Sequence, residues 1–171
     1  MMRLFTNEDA FQAFFIKEFG DCCFEGQIFA KITQIGGENI QPEIDLLDIN
    51  PIEPQEKLKA FEFKVLKGKN VSNNYRNIYA GIGEALSYFK YGVDQSFLII
   101  GISETVPLPQ VEKLRIIIAK AGEISGQIAT SRFQIRMYRE FYNELTDFPS
   151  LPPSGTFQSK NYLKGFHDDV Q

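Results

Sequence analysis

Glu62 and Lys64 stand two residues apart in Lys59-Ala60-Phe61-Glu62-Phe63-Lys64-Val65-Leu66, a stretch in which polar and apolar residues alternate. A period of two is strand behaviour, so the carboxylate and the ammonium share one face while Phe61, Phe63 and Val65 share the other. The phenylalanine face can pack under a helix. The charged face sits where a purely structural strand would keep apolar groups. Asp45, which closes Pro42-Glu43-Ile44-Asp45, can be brought alongside by strand pairing. Two carboxylates and a lysine on adjacent strands can hold a divalent metal and activate a water. The plain alternative is a solvated Glu62–Lys64 salt bridge, with Asp45 a strand-edge charge.

The elements that must position these groups follow from pattern and punctuation. Asn7 can cap a helix running to about Phe19, with Glu8 and Asp9 in its first turn and Gly20 as a stop. Gln27 to Ile35 reads as a strand ended by Gly36-Gly37, Glu43 to Ile49 as a second and Leu58 to Leu66 as a third, so residues 27–66 form an antiparallel meander. A polar loop then leads into a helix from about Tyr75 to Tyr91, closed by Gly92. Gln95 to Ile102 is nearly continuously apolar, the mark of a strand covered on both faces. A helix after Pro107 and Pro109 and an edge strand from Ile128 to Tyr138 complete the order. Helices after the third and fourth strands imply parallel crossovers, hence an α/β fold with a mixed sheet flanked by helices.

Length and composition exclude other chemistries. The 171 residues fit one domain, here taken as residues 1–145, with a Pro-, Ser- and Gly-rich tail over 146–171. Phe157, Tyr162 and Phe166 suggest that this tail docks on the body or on a partner. No run approaches the roughly 18 apolar residues of a membrane helix, and the N-terminus lacks a signal-peptide profile. The adjacent Cys22 and Cys23 cannot easily pair with each other, which points to a reducing cytoplasm. His167 is the lone histidine and lies in the tail, arguing against zinc and histidine-triad chemistry. Net charge is −4, yet residues 1–56 hold only 3 of the 18 lysines and arginines and 11 of the 22 acids. The basic excess begins beside Glu62, leaving room for a local basic face.

With this element order, Asp45 and the Glu62-Phe63-Lys64 triplet resemble the PD-(D/E)XK nuclease superfamily, over roughly residues 7–102. Pro42 stands two residues further from Asp45 than the family's pattern has it. The resemblance implies a restriction-endonuclease-like αβββαβ core and a metal-dependent nuclease acting on DNA, or on RNA. It further implies that Asp45, Glu62 and the Phe63 carbonyl ligate Mg²⁺ or Mn²⁺. Lys64 would orient or deprotonate the water and offset phosphorane charge; among carboxylates it keeps its proton, which favours the charge-stabilising role. Glu8 on the first helix, or Glu18, would complete the site. Glu84 and Tyr88 fall where one branch of the superfamily carries Gln-x-x-x-Tyr, but their helical side, away from Ile78, Ile82 and Phe89, reads as a solvated pair. Gly81 and Gly83 read as close-packing positions in that helix, not a phosphate loop. Lys57, Lys59, Lys67, Lys69 and Arg76 are candidate phosphate contacts, and Arg132, Arg136 and Arg139 weaker ones. A small domain cuts one strand at a time, so a homodimer is a further expectation. The rival reading is a non-catalytic module that keeps the fold to bind nucleic acid or protein.

Overall fold

The computed structural model describes residues 5–24, 26–49, 58–129 and 133–139. The predicted tail, with His167 and its aromatics, and Lys57 and Arg132 lie outside the described residues. The elements are α1 (Glu8–Cys23), β1 (Gln27–Ile35), β2 (Glu38–Ile49), β3 (Lys59–Leu66), α2 (Val71–Ser87) with a 3₁₀ turn over Tyr88–Tyr91, β4 (Gln95–Ile102), α3 (Leu108–Ala129) and β5 (Phe133–Arg139). The sheet has five strands in the order β1-β2-β3-β4-β5. β1, β2 and β3 form an antiparallel meander, while β3, β4 and β5 are parallel. An α/β architecture with a mixed sheet follows directly. Among the described residues no helix is long and apolar enough to cross a membrane.

α1 begins where its sequence says it should. Asn7 accepts the Ala10 N–H at 2.8 Å, and Glu8 and Asp9 face the positive end of the helix dipole. Phe11, Phe15 and Phe19 recur at helical spacing and are buried with Phe61, Phe63 and Val65 in one cluster. The helix runs one turn past Gly20, because Phe24 docks on Phe61 and Phe15 with centroids 5.2 and 6.1 Å away. Tertiary packing overrides the local stop signal. Close contact extends to β4, where a Cβ at Gly101 would lie 3.0 Å from the Phe11 ring.

The other sheet face lies under α2 and α3. Leu66, Leu98, Ile100 and Ile102 pack there against Ile78, Ala85, Val111, Leu114 and Ile118. Glu62 and Lys64, in register with Leu98 and Ile100 on β4, point to this same side. α2 starts at Val71, a turn before Tyr75, because Asn70 caps it by accepting the Asn73 N–H at 3.2 Å. The polar run Ser72-Asn73-Asn74 is therefore helix, where the sequence reads as loop. Gly92, at φ 86°, closes the 3₁₀ turn as expected.

β2 is longer than its apolar run suggests. Gly36 and Gly37, at φ 61° and 86°, turn the chain so that Ile35 pairs with Glu38. The register then shifts, from Gln34↔Asn39 to Ile32↔Ile44, so residues 40–43 bulge out of the ladder. The bulge is gripped by the 3₁₀ turn. Tyr91 and Lys90 donate to the Gln41 carbonyl at 2.8 and 2.5 Å, and Tyr88 donates to the Glu43 carbonyl at 2.9 Å.

Candidate active site at the parting of two strands

β2 and β3 pair only through Leu46↔Phe61, Leu47↔Ala60 and Asp48↔Lys59. Beyond that point the strands part. Leu46 joins Phe61 under α1, whereas Ile44 joins Ala60, Tyr88 and Val93 in a separate cluster. β2 thus turns over between Ile44 and Leu46, with Asp45 at the crossing. The parting leaves backbone groups of β3 without strand partners, and carboxylates take them. Phe63 N–H donates to Asp45 Oδ2 at 2.9 Å, and Val65 N–H donates to the Glu8 carboxylate. A strand residue turns its N–H and C=O toward the same edge, so the Phe63 carbonyl also faces the parting. Gln12 on α1 holds the other wall by donating to the Asp45 carbonyl at 2.8 Å.

Lys64 sits among the acids. Its Nζ lies 2.5 Å from Glu62 Oε1, 2.7 Å from Glu84 Oε2 and 4.0 Å from Glu8 Oε2. Glu62 is buried, at 2% side-chain exposure, while Glu84 and Glu8 form an open rim at 37% and 48%. Tyr88 hydrogen-bonds the second Glu62 oxygen as well as the Glu43 carbonyl. One phenol proton cannot serve both acceptors. A proton on Glu62 resolves the conflict by making that carboxyl a donor, so the phenol is left to donate to Glu43; the one carboxyl proton faces either the phenol oxygen or the Glu84 carboxylate.

The electrostatics point the same way. Burial, then the hydrogen bond with Glu84 and the charge of Asp45, push the Glu62 carboxyl up to about 9 against the pull of Lys64. Burial also raises Asp45 and Glu8, outweighing the Phe63 N–H in one case and the Lys64 charge in the other. At Glu84 burial is overcome by hydrogen bonds from Glu62 and Lys64, and its carboxyl is lowered. Burial would lower Lys64, but its contacts with Glu62, then Glu84 and Glu8, push it above the usual range, and where Glu62 holds its proton the negative charge comes from Glu84 and Glu8. Tyr88 is a firmly neutral phenol because burial, then Glu62, oppose its ionisation. Lys64 is therefore placed to supply a positive charge among the acids.

Asp45, Glu62, Lys64 and Glu8 are thus brought together, and Glu8 rather than Glu18 is the helix carboxylate that reaches the cluster. Glu84 and Tyr88 belong to the cluster as well, contrary to the solvated pair that their side of α2 suggests. Gly81 explains why. A Cβ there would meet Leu98 Cδ1 at 2.7 Å and Lys64 Cγ at 2.8 Å, so α2 lies tight on β3 and turns the Glu84 and Tyr88 side inward. Gly83, by contrast, faces open space and packs against nothing. The i, i+3 spacing of Gly81 and Glu84 puts the small residue and the carboxylate on one side of α2, but does not say that this side faces the strand.

The predicted phosphate contacts divide. Lys59 is buried at 4% exposure opposite the buried Asp48, so it faces the interior and offers no phosphate contact. Lys67, Lys69 and Arg76 are exposed around the start of α2, with Lys67 Nζ donating to the Thr6 carbonyl at 3.3 Å. Arg136 and Arg139 fall on β5, at the sheet edge away from the parting.

No family model matches the chain, and no curated protein or solved structure matches it. The donors themselves carry the metal question. Asp45, Glu62 and the Phe63 carbonyl are hard oxygen donors of the kind Mg²⁺ and Mn²⁺ take. Among the described residues no three acidic, histidine or cysteine side chains stand ready to share a cation, since the Lys64 ammonium lies between the acids. The donor chemistry fits a divalent cation. Its arrival would displace the proton held on Glu62 and loosen the Glu62–Lys64 contact.

Proposed function

We propose that this protein is a metal-dependent nuclease of the restriction-endonuclease-like type, hydrolysing phosphodiester bonds in DNA. The observation that carries the reading is the meeting of Asp45, Glu62 and Lys64 at the open edge of β3, where the strands part. The order of helix, three strands, helix and strand supports the αβββαβ core that the same residues imply.

Asp45, Glu62 and the Phe63 carbonyl would hold Mg²⁺ or Mn²⁺. Bound there, the cation would supply Lewis acidity toward a water and a phosphate oxygen. The chain's own groups do the rest. Lys64 places a permanent positive charge beside the developing phosphorane, a preorganised contribution that needs no proton transfer. Asp45 is fixed by the Phe63 N–H, so this carboxylate need not be reoriented during the reaction. Glu8 and Glu84 hold Lys64 in line from opposite sides.

Cleavage of a labelled DNA with Mg²⁺ or Mn²⁺ tests this, comparing wild type with Asp45→Ala and Lys64→Ala. Hydrolysis should fall to background in both variants; activity that survives both sinks the assignment. One observation favours the rival reading of a non-catalytic binding module: as it stands, Lys64 closes an internally satisfied cluster. Nucleic-acid binding without metal-dependent cleavage by the wild type would select it.

A further inference from the structure

The mouth of the parting is acidic, and among the described residues the cations on its two sides differ in their partners. On the β2 side, Lys31 Nζ is 3.9 Å from Glu43, and Lys90 donates to Gln41 while lying 4.7 Å over the Tyr91 ring. On the α2 side, Lys69 and Arg76 are exposed, with no side-chain polar contact to another described residue, and Lys67 is exposed beside them. These three cations of the described residues are few for a duplex, whose two strands put one charge on roughly every 1.7 Å of axis. They suit a grip on about three phosphates.

The exposed flank of α2 that borders Glu84 offers the path. Glu84, Ala80 and Arg76 succeed one another at four-residue spacing, and Tyr79 and Gly83 lie beside them at the same spacing. Ala80 and Gly83 are exposed and small, and a Cβ at Gly83 would meet nothing within 4 Å. Tyr79 is 61% exposed, a large aromatic ring in water next to Arg76. A ring so placed can stack on a base only if that base is unpaired.

Building on the hydrolytic reading, we propose that the site takes an unpaired stretch of nucleic acid. The strand leaves the parting across Ala80 and Gly83, with one base on Tyr79 and its phosphates on Arg76, Lys69 and Lys67. A duplex would present neither an open base face to Tyr79 nor a charge density that the acidic rim accepts.

The test is fluorescence anisotropy in metal-free buffer, using a labelled oligonucleotide of about a dozen nucleotides, single-stranded or annealed. The single strand should bind tighter, with log K falling against log salt at a slope of about −2, for three phosphates at about 0.7 each. Tyr79→Ala should weaken binding roughly 5- to 150-fold while Tyr79→Phe stays within about twofold. Removing two charges in K69Q/R76Q should cost about 25-fold near 0.1 M salt and flatten the slope to about −0.7. Tighter duplex binding, a slope steeper than about −5, an indifferent Tyr79→Ala or no binding at all would each overturn the proposal. Cleavage assays in Mg²⁺ separate the two claims. Single-strand binding without hydrolysis of either substrate fails the nuclease reading alone, whereas hydrolysis with duplex preference fails this one alone.

Discussion

Gly81 and Gly83 stand two residues apart in α2 and should respond to the same substitution in opposite ways. Glycine in a helix interior costs about 1 kcal/mol relative to alanine, so Gly83→Ala, with open space around the new methyl, should stabilise the protein by up to that amount. Gly81→Ala gains the same propensity but drives a methyl to within 2.7 Å of Leu98 and 2.8 Å of Lys64. Overpacking of this kind costs roughly 1–3 kcal/mol, which leaves Gly81→Ala neutral to about 2 kcal/mol less stable than wild type. The two variants therefore differ by roughly 1–3 kcal/mol. At about 2–4 °C per kcal/mol for a chain of this size, their Tm values should lie roughly 2–12 °C apart, Gly81→Ala lower. A second effect follows from which atom is struck. Pushing Lys64 Cγ aside draws the ammonium off Glu62 and Glu84, and a displacement near 1 Å can cost about 10²-fold in rate. Differential scanning fluorimetry and Mg²⁺-dependent cleavage read the two effects separately. Equal Tm values, with equal cleavage rates, would show that α2 does not press on Lys64, and the reason given for Glu84 and Tyr88 joining the cluster would fall.

Tyr88→Phe should destabilise by about 1–3 kcal/mol in urea, because it strips a buried phenol from the Glu43 carbonyl and the Glu62 carboxyl; wild-type stability would contradict those bonds. The metal-free protein should lose stability as pH rises. With Glu62 at about 9 in the folded chain against 4.5 ordinarily, the folded state keeps a proton that the unfolded state gives up between those limits. The decline should approach 1.4 kcal/mol per pH unit inside that window, level off above it and shrink in saturating Mg²⁺; stability rising across it would reverse the sign. Asp45→Asn retains a side-chain oxygen for the Phe63 N–H but loses the anion, so the fold should persist while Mn²⁺ affinity, measured by calorimetry, collapses. Unchanged affinity would remove Asp45 from the donor set.

The period-two alternation of 59–66, the continuous apolar run of 95–102 and the glycines at 36–37 and 92 placed most of the sheet, because each reports a local constraint that the fold obeys. Misplaced boundaries arose from a distant contact in one helix and an unread local cap in the other. Phe24 on Phe61 carries α1 past Gly20, and Asn70 recruits three polar residues into α2. At the site, the meeting of Asp45, Glu62 and Lys64 was legible because residue type and strand parity together restrict where they can point, and Glu8 was legible as a carboxylate in the first turn of α1. Glu84, Tyr88 and the burial of Lys59 were not. Which side of a helix faces a strand depends here on one glycine against Lys64, and which strand lysine is buried depends on Asp48 standing opposite it. Neither relation has a period. The parting of β2 from β3 is similarly hidden, since it is a change of register between strands and not a property of either.

The most direct measurement is anomalous scattering from a crystal of the protein soaked in Mn²⁺. A single strong peak should lie between the Asp45 and Glu62 carboxylates, near 2.1 Å from each and from the Phe63 carbonyl, as hard oxygen donors require, with Lys64 Nζ moved away from Glu62. A peak elsewhere, or none while Lys64 remains bonded to Glu62 and Glu84, would contradict metal-dependent hydrolysis at the parting of the strands.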